Sequence, residues 1–472
     1  MALSVKDLLP FSIASLVMFS VACFSSPVPP DAHYGMFIAN KSYGHSLHIE
    51  QVNGVDYVTT AWGKAAIEVD LQGSFNAKDH NVTLYGKFDR LNNGQYQFGE
   101  LTYFNVHYTF SRTETPQGSE LVAKLFDIPS LFVPISGANE CKKWQKVNDV
   151  PFDQSKVREL SELSASLNNP YSDTTSLLIA KNGKLVVEEY FNGWDPEFPH
   201  TIQSITKSLT SLAMGDAINR GLIKSEAQKL SELMPAYAEL LSGDKAQLTL
   251  AHLLTMGAGL DWNEWSTSYE NPNNPRQQEM ASLDPIAFVL DRGLIAKPGE
   301  QFRYNGGLVT IIGELLSQRA EVDNFADYWR TSPLNALCFE NAYFTNQTGG
   351  VTNAAGGGML RPIDLLKVGQ FVAQDGVWQE KRLLPKGWIE RSTQRHLATG
   401  DGIYDYGYYW WLDDINVAGK TYPVTFGLGY GGQVVAIVNE LDLVVARTAT
   451  HFIGRTPNIE MMRDYIIPAF TL

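Results

Sequence analysis

The chain has 472 residues, 44% of them hydrophobic and 19% charged, which is the composition of a folded protein large enough for two separate cores. Its formal net charge of -14 at pH 7 argues against nucleic acid as a partner. A nucleic-acid-binding surface needs clustered basic residues that displace counterions from phosphates, and the sequence has no such cluster. We therefore expect two folded domains and no nucleic-acid partner.

Residues 1–22 have the features of an export signal. An apolar stretch, Leu8–Ala22, follows Lys6, is too short to span a bilayer comfortably, and ends in residues that suit cleavage. Cleavage there would leave Cys23 at the new N-terminus, where a lipid can be attached, although Ser20 stands where lipoprotein signals usually have leucine. We predict an exported protein that is periplasmic, anchored to the membrane by a lipid on Cys23, or secreted. An uncleaved membrane anchor is the alternative.

Two further cysteines, Cys141 and Cys338, follow Cys23. An exported compartment would permit these two thiols to form a disulfide. Two separate buried thiols are the alternative, and the sequence leaves both open.

The N-terminal third of the chain has the pattern of β-strands. From Tyr34 to Arg112 the residues alternate and are rich in aromatic and β-branched types, as in Val82–Phe88. The pairs Asn53-Gly54 and Asn93-Gly94 are typical of tight hairpin turns. The pattern predicts a small β-rich domain over residues 30–120, with a boundary between residues 115 and 150.

From residue 150 to residue 472 the pattern changes to helices mixed with strands. We predict helices over Asp153–Leu167, Gln203–Arg220, Leu250–Met256 and Leu308–Arg319, and a last helix at the end of the chain. We predict strands over Ser176–Ala180, Lys184–Tyr190, Gln433–Val438 and Leu443–Thr448, with Asn182-Gly183 as the turn between the first two. This order predicts an α+β sandwich in which an antiparallel sheet joins both ends of the domain, flanked by helices and accompanied by a helical region.

Ser204 and Lys207 are three residues apart at the predicted start of a helix. This spacing puts both side chains on one face, one turn apart. A lysine amine kept neutral by burial or by a nearby cation can take the serine proton as the oxygen attacks a carbonyl. The spacing alone also fits an ordinary helix N-terminus with a solvated lysine. Ser242 and Lys245 have the same spacing, but Gly243 and the polar residues around it predict a loop there.

The region from Asp153 to Phe470 resembles the serine β-lactamase-like family. The resemblance rests on a series of phrases in the family's order: Ser176-Leu177-Leu178-Ile179, Lys181-Asn182-Gly183-Lys184, His252-Leu253-Leu254-Thr255-Met256, Pro298-Gly299-Glu300, Gly356-Gly357-Gly358-Met359 and Arg361-Pro362. This family includes class C β-lactamases, penicillin-binding proteins, family VIII esterases and 6-aminohexanoate-dimer hydrolases. The resemblance implies a β-lactamase/transpeptidase-like fold, with Ser204 as nucleophile and Lys207 as its activating base.

The family's second motif is a tyrosine, any residue, then asparagine or serine, and it resembles Tyr304-Asn305-Gly306 here. The resemblance implies that Tyr304 shares protons with the serine and the leaving group, as a phenol near a lysine can. Gly306 departs from the pattern because it has no side chain to orient a substrate. Asn305 or another group would have to compensate, or the substrate would lie differently. A structural tyrosine is the alternative for Tyr304.

The third motif, a lysine or histidine followed by small residues on an edge strand, resembles Tyr430-Gly431-Gly432-Gln433. Tyr430 replaces the cation that many β-lactamases use against a substrate carboxylate. Gly432 would let a substrate approach the backbone, and the amide of Gln433 would pair with that of Ser204 as oxyanion donors. A plain glycine-rich hairpin is the alternative.

Two other segments resemble motifs for a dinucleotide site and for a second nucleophile, but neither lies in the structural context that its motif requires. Residues 427–432 fit the dinucleotide pattern GxGxxG, but they lead into a predicted strand instead of opening a helix. Gly44 to His48 nearly match a nucleophile elbow, but they lie in the β-rich domain, and His45 and His48 have no accompanying cluster of metal ligands. We expect neither a cofactor nor a metal.

Together these features predict a serine hydrolase that works through an acyl-enzyme on a small-molecule substrate. The family's substrates include β-lactams, D-amino-acid peptides, short esters and the 6-aminohexanoate dimer, and the loss of the cation favours a small ester or amide. Aromatic residues could line an apolar cleft or belong to ordinary core: Trp262, Trp265, Tyr408, Trp410 and Trp411. The alternative function is a catalytically inert protein that binds a cell-wall peptide or a protein partner.

Overall fold

A computed structural model describes residues 32–471, except residues 39–40, 53–54, 61–62, 71–73, 78–83, 91–95, 104–105, 116–117, 122–131, 137–142, 167–168, 192–193, 195, 198, 268, 270, 272, 401, 450 and 452–454. The predicted export signal, Cys23 and Cys141 therefore lie outside the described residues. The chain divides into two compact units, one of residues 1–60 and 64–127, the other of residues 61–63 and 128–472.

In the first unit the described strands form a nine-stranded sheet whose strands follow one another in chain order. They are β1 (Ala32–Ile38), β2 (Lys41–Val52), β3 (Val55–Thr60), β4 (Gly63–Val69), β5 (Ser74–Ala77), β6 (Leu84–Arg90), β7 (Tyr96–Tyr103), β8 (Val106–Thr115) and β9 (Gly118–Leu121). Neighbours such as β6 and β7 run antiparallel. Both predicted turns, Asn53-Gly54 and Asn93-Gly94, lie outside the described residues, but they connect strands that pair. The small β-rich region is thus a meander of hairpins.

The second unit contains the remaining described elements. Its strands are β10 (Phe132–Pro134), β11 (Thr174–Lys181), β12 (Lys184–Tyr190), β13 (His200–Thr201), β14 (Tyr343–Thr345), β15 (Gly358–Leu360), β16 (Val377–Trp378), β17 (Lys381–Arg382), β18 (Leu397–Ala398), β19 (Asp405–Tyr406), β20 (Trp411–Val417), β21 (Lys420–Gly429), β22 (Gln433–Val438) and β23 (Leu443–Ala449). Its α-helices are α1 (Gln154–Ala165), α2 (Ile205–Asn219), α3 (Leu230–Leu233), α4 (Leu250–Leu254), α5 (Pro275–Ala281), α6 (Pro285–Leu290), α7 (Gly306–Ala320), α8 (Phe325–Thr331), α9 (Pro362–Ala373), α10 (Trp388–Ser392), α11 (Asn458–Met461) and α12 (Ile467–Ala469). Shorter 3-10 turns lie at Pro235–Tyr237, Gly243–Gln247, Pro333–Leu337 and Asn439–Leu441, and a π-helical turn at Met462–Ile466 joins α11 to α12.

The main sheet joins the two ends of this unit, as the sequence predicts. Its strand order is β12-β11-β23-β22-β21-β20-β19-β18, so β11, early in the unit, pairs antiparallel with β23, near the C-terminus. Side chains alternate along β11. Leu177 and Ile179 pack with α1 and the C-terminal helices, whereas Leu178 and Ala180 pack in the larger core with α2 and α9. Both faces of the sheet are therefore covered by helices.

A hairpin turn at Asn182 and Gly183 connects β11 to β12. Both residues have positive φ, 52° and 72°, which is the backbone of the turn that an Asn-Gly pair favours between antiparallel strands. Strand β12 has the predicted bounds. Strand β11 is longer than predicted, by two residues at its start and by one at its end. Backbone pairing with β23 extends beyond the run that the apolar pattern marks.

Helix α2 runs through the centre of the unit, and its residues from Ile205 to Ala217 are buried. Helix α2 therefore has no solvated face along most of its length, and its polar side chains, Lys207 among them, are buried with the apolar ones. A small second sheet, in the order β10-β14-β15-β13, lies next to its N-terminus, because β13 ends at Thr201, three residues before Ser204. The core thus fixes the segment that carries Ser204.

Cys338 is disulfide-bonded, so it is not the separate buried thiol that the sequence left open as an alternative. Within the described part of the chain, no helix is both long and apolar enough to cross a membrane. The same residues contain no group of three or more His, Cys, Asp or Glu arranged to hold a metal ion.

Candidate active site

Ser204 lies between β13 and α2, as the N-cap of the helix. Gln203 before it has φ of 47°, in the left-handed region that residues other than glycine rarely occupy. Thr206 holds this bend, because its hydroxyl donates to the Gln203 carbonyl at 2.6 Å and accepts from the Gly358 amide at 2.9 Å. The Ser204 hydroxyl makes no capping bond to its own helix. It is therefore free for other partners, in a segment where backbone strain is typical of function.

Lys207 is the first of these partners. Its Nζ lies 3.2 Å from Ser204 Oγ and donates to the Ala355 carbonyl at 2.7 Å. The side chain is buried. Burial, opposed in part by the Glu264 carboxylate and reinforced by the Arg276 guanidinium, lowers the pKa of Lys207 to about 7. A large part of the Lys207 population is therefore neutral near pH 7, as a base for the serine proton must be.

Tyr304 is the second partner. Its side chain is buried and forms a hydrogen bond with the Ser204 side chain. Lys207 Nζ lies 4.8 Å from the centre of the Tyr304 ring. Burial, with the Glu264 carboxylate adding to it, raises the pKa of Tyr304 above its usual value, so the phenol keeps its proton at neutral pH. The structure thus brings together the three residues that the sequence predicts to be catalytic.

Asn305 follows Tyr304 but serves the backbone. It is the N-cap of α7, and its side-chain oxygen accepts from the amides of Gly307 at 2.9 Å and Leu308 at 3.3 Å. Such a cap satisfies amides that have no partner within the helix. The oxygen that the sequence assigns to a substrate is thus committed to α7, and it fixes the direction in which the helix leaves Tyr304.

Gly306 has no room for a side chain. A Cβ at this position would lie 2.9 Å from both Cδ and Nε of Arg276. Arg276 is itself buried, pairs with Glu279, and donates to the side chains of Asn353 and Thr310. The space that a third motif residue would occupy therefore holds a guanidinium from α5.

Glu264 also contacts this turn and is buried. Its Oε2 accepts from the Gly306 amide at 2.8 Å and from Trp262 Nε1 at 2.7 Å, and its Oε1 accepts from the Tyr269 hydroxyl at 2.9 Å. Three donors satisfy this carboxylate, as a buried charge requires. The loop from Trp262 to Tyr269 is thereby bound to the start of α7.

Aromatic rings cover Tyr304. Trp265 is 53% exposed and stacks on Tyr304 with ring centres 4.9 Å apart and planes 20° apart. Trp411 stacks on the same tyrosine at 5.8 Å. Of the five aromatic residues that the sequence puts forward for a cleft, these two lie at the site, whereas Trp262, Tyr408 and Trp410 are buried core.

The third motif forms the hairpin between β21 and β22. Gln433 pairs with Gly429 across the hairpin and is fully buried, and its side-chain amide donates to the carbonyls of Ala449 and Gly431. Gly432 has φ of 86°, which suits glycine, and Tyr430 is 46% exposed. A Cβ at Gly429 would lie 2.3 Å from the Ile202 carbonyl oxygen. The hairpin therefore lies against the segment before Ser204 at Gly429, whereas the Gln433 side chain holds the hairpin from within.

The other sequence patterns have structural roles. Lys245 lies in a short 3-10 helix, and Ser242 is the residue that precedes this helix, where the sequence predicts a loop. Their side chains donate to different carbonyls, those of Leu290 and Glu239. Residues 427–432 end β21 and turn into β22, so they open no helix. His45 and His48 lie within β2.

Sequence reasoning misses Glu264 and Arg276. No local motif marks them, because each reaches the turn at Gly306 from a different segment, the loop before α5 and α5 itself. The available signal is the phrase Trp262-Asn263-Glu264-Trp265, a carboxylate between two tryptophans, since a charge in apolar surroundings is retained only with partners.

The chain is similar to known proteins in sequence and in fold. The family described as Beta-lactamase matches residues 172–461, more than half of the chain. The chain is 25% identical over 301 residues to the 6-aminohexanoate-dimer hydrolase of Paenarthrobacter ureafaciens, a match that covers 59% of this chain and 72% of that protein. The octameric penicillin-binding protein homologue from Pyrococcus abyssi aligns with a TM-score of 0.52 at 19% identity, over 66% of this chain and 75% of that one. EstCE1, a hydrolase with promiscuous acyltransferase activity, aligns with a TM-score of 0.53 at 15% identity, over 66% of this chain and 99% of that one.

The two solved structures share the fold with this chain, and they confirm the predicted β-lactamase/transpeptidase-like architecture. The family match covers β11, α2, the Tyr304 turn and the hairpin at Tyr430 in a single stretch. The chain belongs to the serine β-lactamase-like family of hydrolases.

Proposed function

We propose that this protein is a serine hydrolase that cleaves small esters or amides through an acyl-enzyme on Ser204. The observation that carries the proposal is the contact between Ser204 Oγ and Lys207 Nζ, 3.2 Å apart, in surroundings that favour a neutral amine. A neutral lysine within hydrogen-bonding distance of a hydroxyl is the arrangement that activates a weak nucleophile.

In the first step Ser204 Oγ attacks the carbonyl carbon while its proton passes to Lys207. Tyr304, which keeps its proton and is bonded to Ser204, relays a proton to the leaving oxygen or nitrogen as the bond to it breaks. The acyl group is then an ester on Ser204. In the second step water attacks the carbonyl carbon of this ester and loses a proton to Lys207. As the bond to Ser204 Oγ breaks, a proton returns to this oxygen through the same two groups, and the acid is released.

The oxyanion needs donors at the position where charge develops. The Ser204 amide, at the N-terminus of α2, is one such donor and benefits from the helix dipole. We place the second in the hairpin between β21 and β22, in the backbone amide of Gln433, as the sequence predicts. Gly429, which pairs with Gln433 across this hairpin, lies against the Ile202 carbonyl, next to the serine segment.

The proposed substrate class follows from the surface around Tyr304. Trp265 and Tyr430 are half exposed, and Tyr430 stands where the family motif has a cation. Neutral aromatic rings bind apolar groups well and offer no ion pair to a carboxylate. A small ester or amide without a carboxylate beside the scissile bond fits better than a penicillin. The matched 6-aminohexanoate-dimer hydrolase is named for an amide substrate, which is consistent with this choice.

A substrate panel with matched serine variants tests the proposal. Nitrocefin, p-nitrophenyl esters and D-alanyl peptides would be compared with wild type, Ser204→Ala and Ser242→Ala. We expect p-nitrophenyl esters of short acids to be the best substrates and Ser204→Ala to lose about a thousandfold or more in kcat/KM. Ser242→Ala is the control, since it has the same Ser-x-x-Lys spacing, and should retain wild-type activity. Full activity in Ser204→Ala would refute the mechanism.

A fluorophosphonate probe separates the hydrolase from the inert binding protein. The hydrolase should form an adduct on Ser204, and Ser204→Ala should form none. No adduct on the wild-type protein, under conditions that label a control serine hydrolase, would favour the binding protein.

We also propose that the protein is exported, because Leu8–Ala22 and Lys6 have the pattern of a cleaved signal. A mature protein that begins at Cys23, detected by mass spectrometry, would support export. A further mass increase on Cys23 would identify a lipid anchor.

A further inference from the structure

We infer that Glu264 and Arg276 are positioning residues for the Ser204–Lys207–Tyr304 site: Glu264 binds the turn that follows Tyr304, and Arg276 fills the space beside Gly306. The two side chains are buried, carry opposite charges, and approach this turn from different segments. Neither touches the Ser204 hydroxyl in any described contact, so both act through other groups. The inference rests on the proposed function.

Glu264 acts on the geometry of the site. Its carboxylate accepts from the Gly306 amide, the first amide of α7, and from the side chains of Trp262 and Tyr269. Trp265 is the next residue in the chain and stacks on Tyr304. One carboxylate thus connects the loop that bears Trp265 with the turn that bears Tyr304, and it holds the exposed tryptophan over the phenol.

Arg276 contacts the same turn at the Cα side of Gly306. Its side chain occupies the space beside Gly306, where a Cβ would be 2.9 Å from Cδ and Nε. It pairs with Glu279 and donates to Asn353, the residue that also accepts from the Gly356 amide. Gly356 follows Ala355, whose carbonyl binds Lys207 Nζ. Arg276 therefore supports both the Tyr304 turn and the loop that holds the lysine.

The same two residues balance the charge around Lys207. The groups whose charges act on Lys207 are Glu264, which favours the protonated amine, and Arg276, which disfavours it. Ser204 and the Ala355 carbonyl contact the amine but carry no charge, and Tyr304 remains a neutral phenol. Glu279 is paired with Arg276. With burial as the main cause and these two charges opposing one another, the amine titrates where a general base is useful at neutral pH.

The test measures the rate of fluorophosphonate labelling at Ser204 from about pH 5 to about pH 9, where loss of rate on the acid side reports protonation of the base. Glu264→Gln keeps an oxygen for Gly306 and Trp262 and removes the charge. It should move the acid limb to lower pH by roughly 0.5–1 unit, because the carboxylate that favours protonated lysine is gone. The double variant Arg276→Gln with Glu279→Gln removes the second charge together with its partner. It should move the limb to higher pH by a similar amount.

Glu314→Gln is the control, because Glu314 lies on α7 but bonds only to exposed Gln318 in the described contacts, and its limb should match wild type. Opposite shifts in the two test variants would establish the inference, since loss of structure alone lowers the rate without moving the limb in opposite directions. Labelling of wild type with an unmoved limb in Glu264→Gln would overturn the inference and leave the proposed function intact. If Glu264→Gln does not fold, as judged by its thermal melt, the double variant decides alone. An unlabelled wild type would refute the proposed function itself.

Discussion

Gly306 shows how one missing side chain is explained by a residue far away in the sequence. The family motif has asparagine or serine at this position, and the sequence leaves open what replaces it. In the structure the side chain of Arg276, thirty positions earlier in the chain, occupies this space. The arginine packs there because residue 306 is a glycine. The motif is therefore rebuilt around a guanidinium, and its departure from the pattern does not indicate a decayed site.

This interpretation predicts that restoring the family residue is harmful. In Gly306→Ser the new Cβ and hydroxyl would overlap the Arg276 side chain, which is buried and held by Glu279 and Asn353. We expect a loss of about 1–3 kcal/mol in the free energy of unfolding. We also expect a tenfold to hundredfold fall in kcat/KM, roughly the cost of misplacing a catalytic group by 1 Å.

Urea denaturation and p-nitrophenyl ester hydrolysis would measure the two effects. Gly293→Ser is the matched control, since a Cβ at Gly293 meets nothing within 4 Å. Wild-type stability and activity in Gly306→Ser would show that Arg276 moves aside freely, against this account.

The contact of Ser204 with Lys207 and Tyr304 could be anticipated at the residue scale because each of the three belongs to a short local motif. Ser204 and Lys207 are one helical turn apart, and Tyr304 follows a proline-glycine turn. Glu264 does not belong to any such local motif. Its role depends on a backbone amide 42 positions along the chain, and no periodicity or spacing encodes a contact of that kind. Asn305 illustrates the converse, because a motif position assigned to substrate is used as a helix cap.

At the scale of elements, the local sequence pattern predicts which segments form helices and strands, whereas tertiary contacts determine where these elements begin and end. The predicted helix Gln203–Arg220 is observed as Ile205–Asn219, because the left-handed backbone at Gln203 delays its start. The strand Gln433–Val438 is observed with the predicted bounds. The short strands β13 and β15 have no alternating pattern, and they form because they pair with each other beside the serine.

The hairpin between β21 and β22 must approach the serine segment backbone to backbone, and this predicts the effect of a single methyl group. In Gly429→Ala the new Cβ would lie 2.3 Å from the Ile202 carbonyl oxygen, and no side-chain rotation can relieve the overlap. The hairpin and the Ser204 segment should separate. We expect a destabilisation of about 1–3 kcal/mol and a fall in kcat of about tenfold or more.

Thermal melting and kcat for a p-nitrophenyl ester would test this prediction, with Gly293→Ala as the control for the same change where space is available. Unchanged kcat in a folded Gly429→Ala protein would mean that the hairpin does not position the site. The second oxyanion donor would then have to be sought elsewhere.

At the scale of the whole molecule, the β-lactamase-like unit depends on contacts between the ends of its sequence. Strand β11 pairs with β23, and α1 packs against the same sheet face as the C-terminal helices. The order of predicted elements was enough to anticipate that sheet, because a hairpin at each end of the unit leaves two strands to pair. Strands β18 and β19, at the far edge of the sheet, have two residues each. Runs so short carry no alternating pattern, so the sequence could not predict these strands.

A buried histidine in β13, four residues before Ser204, should make the stability of the whole unit sensitive to acid. His200 in β13 is fully buried and stacks on Trp194 with ring centres 4.3 Å apart. Burial lowers the pKa of His200 to about 4, from a usual value of 6.5. Between pH 6.5 and about pH 4, His200 is therefore protonated in the unfolded chain and neutral in the folded protein. The free energy of unfolding falls as the pH falls through this window. The shift corresponds to about 3 kcal/mol, lost progressively from pH 6.5 downwards.

His200→Phe separates this effect from the titration of the carboxylates. Phenylalanine can keep the stacking on Trp194 and cannot take a proton, so the variant should lose about 3 kcal/mol less than wild type between about pH 7 and about pH 4. Urea denaturation at a series of pH values gives the two curves, and the difference between them isolates residue 200. Parallel curves would mean that His200 is protonated as easily in the folded protein as in the unfolded chain.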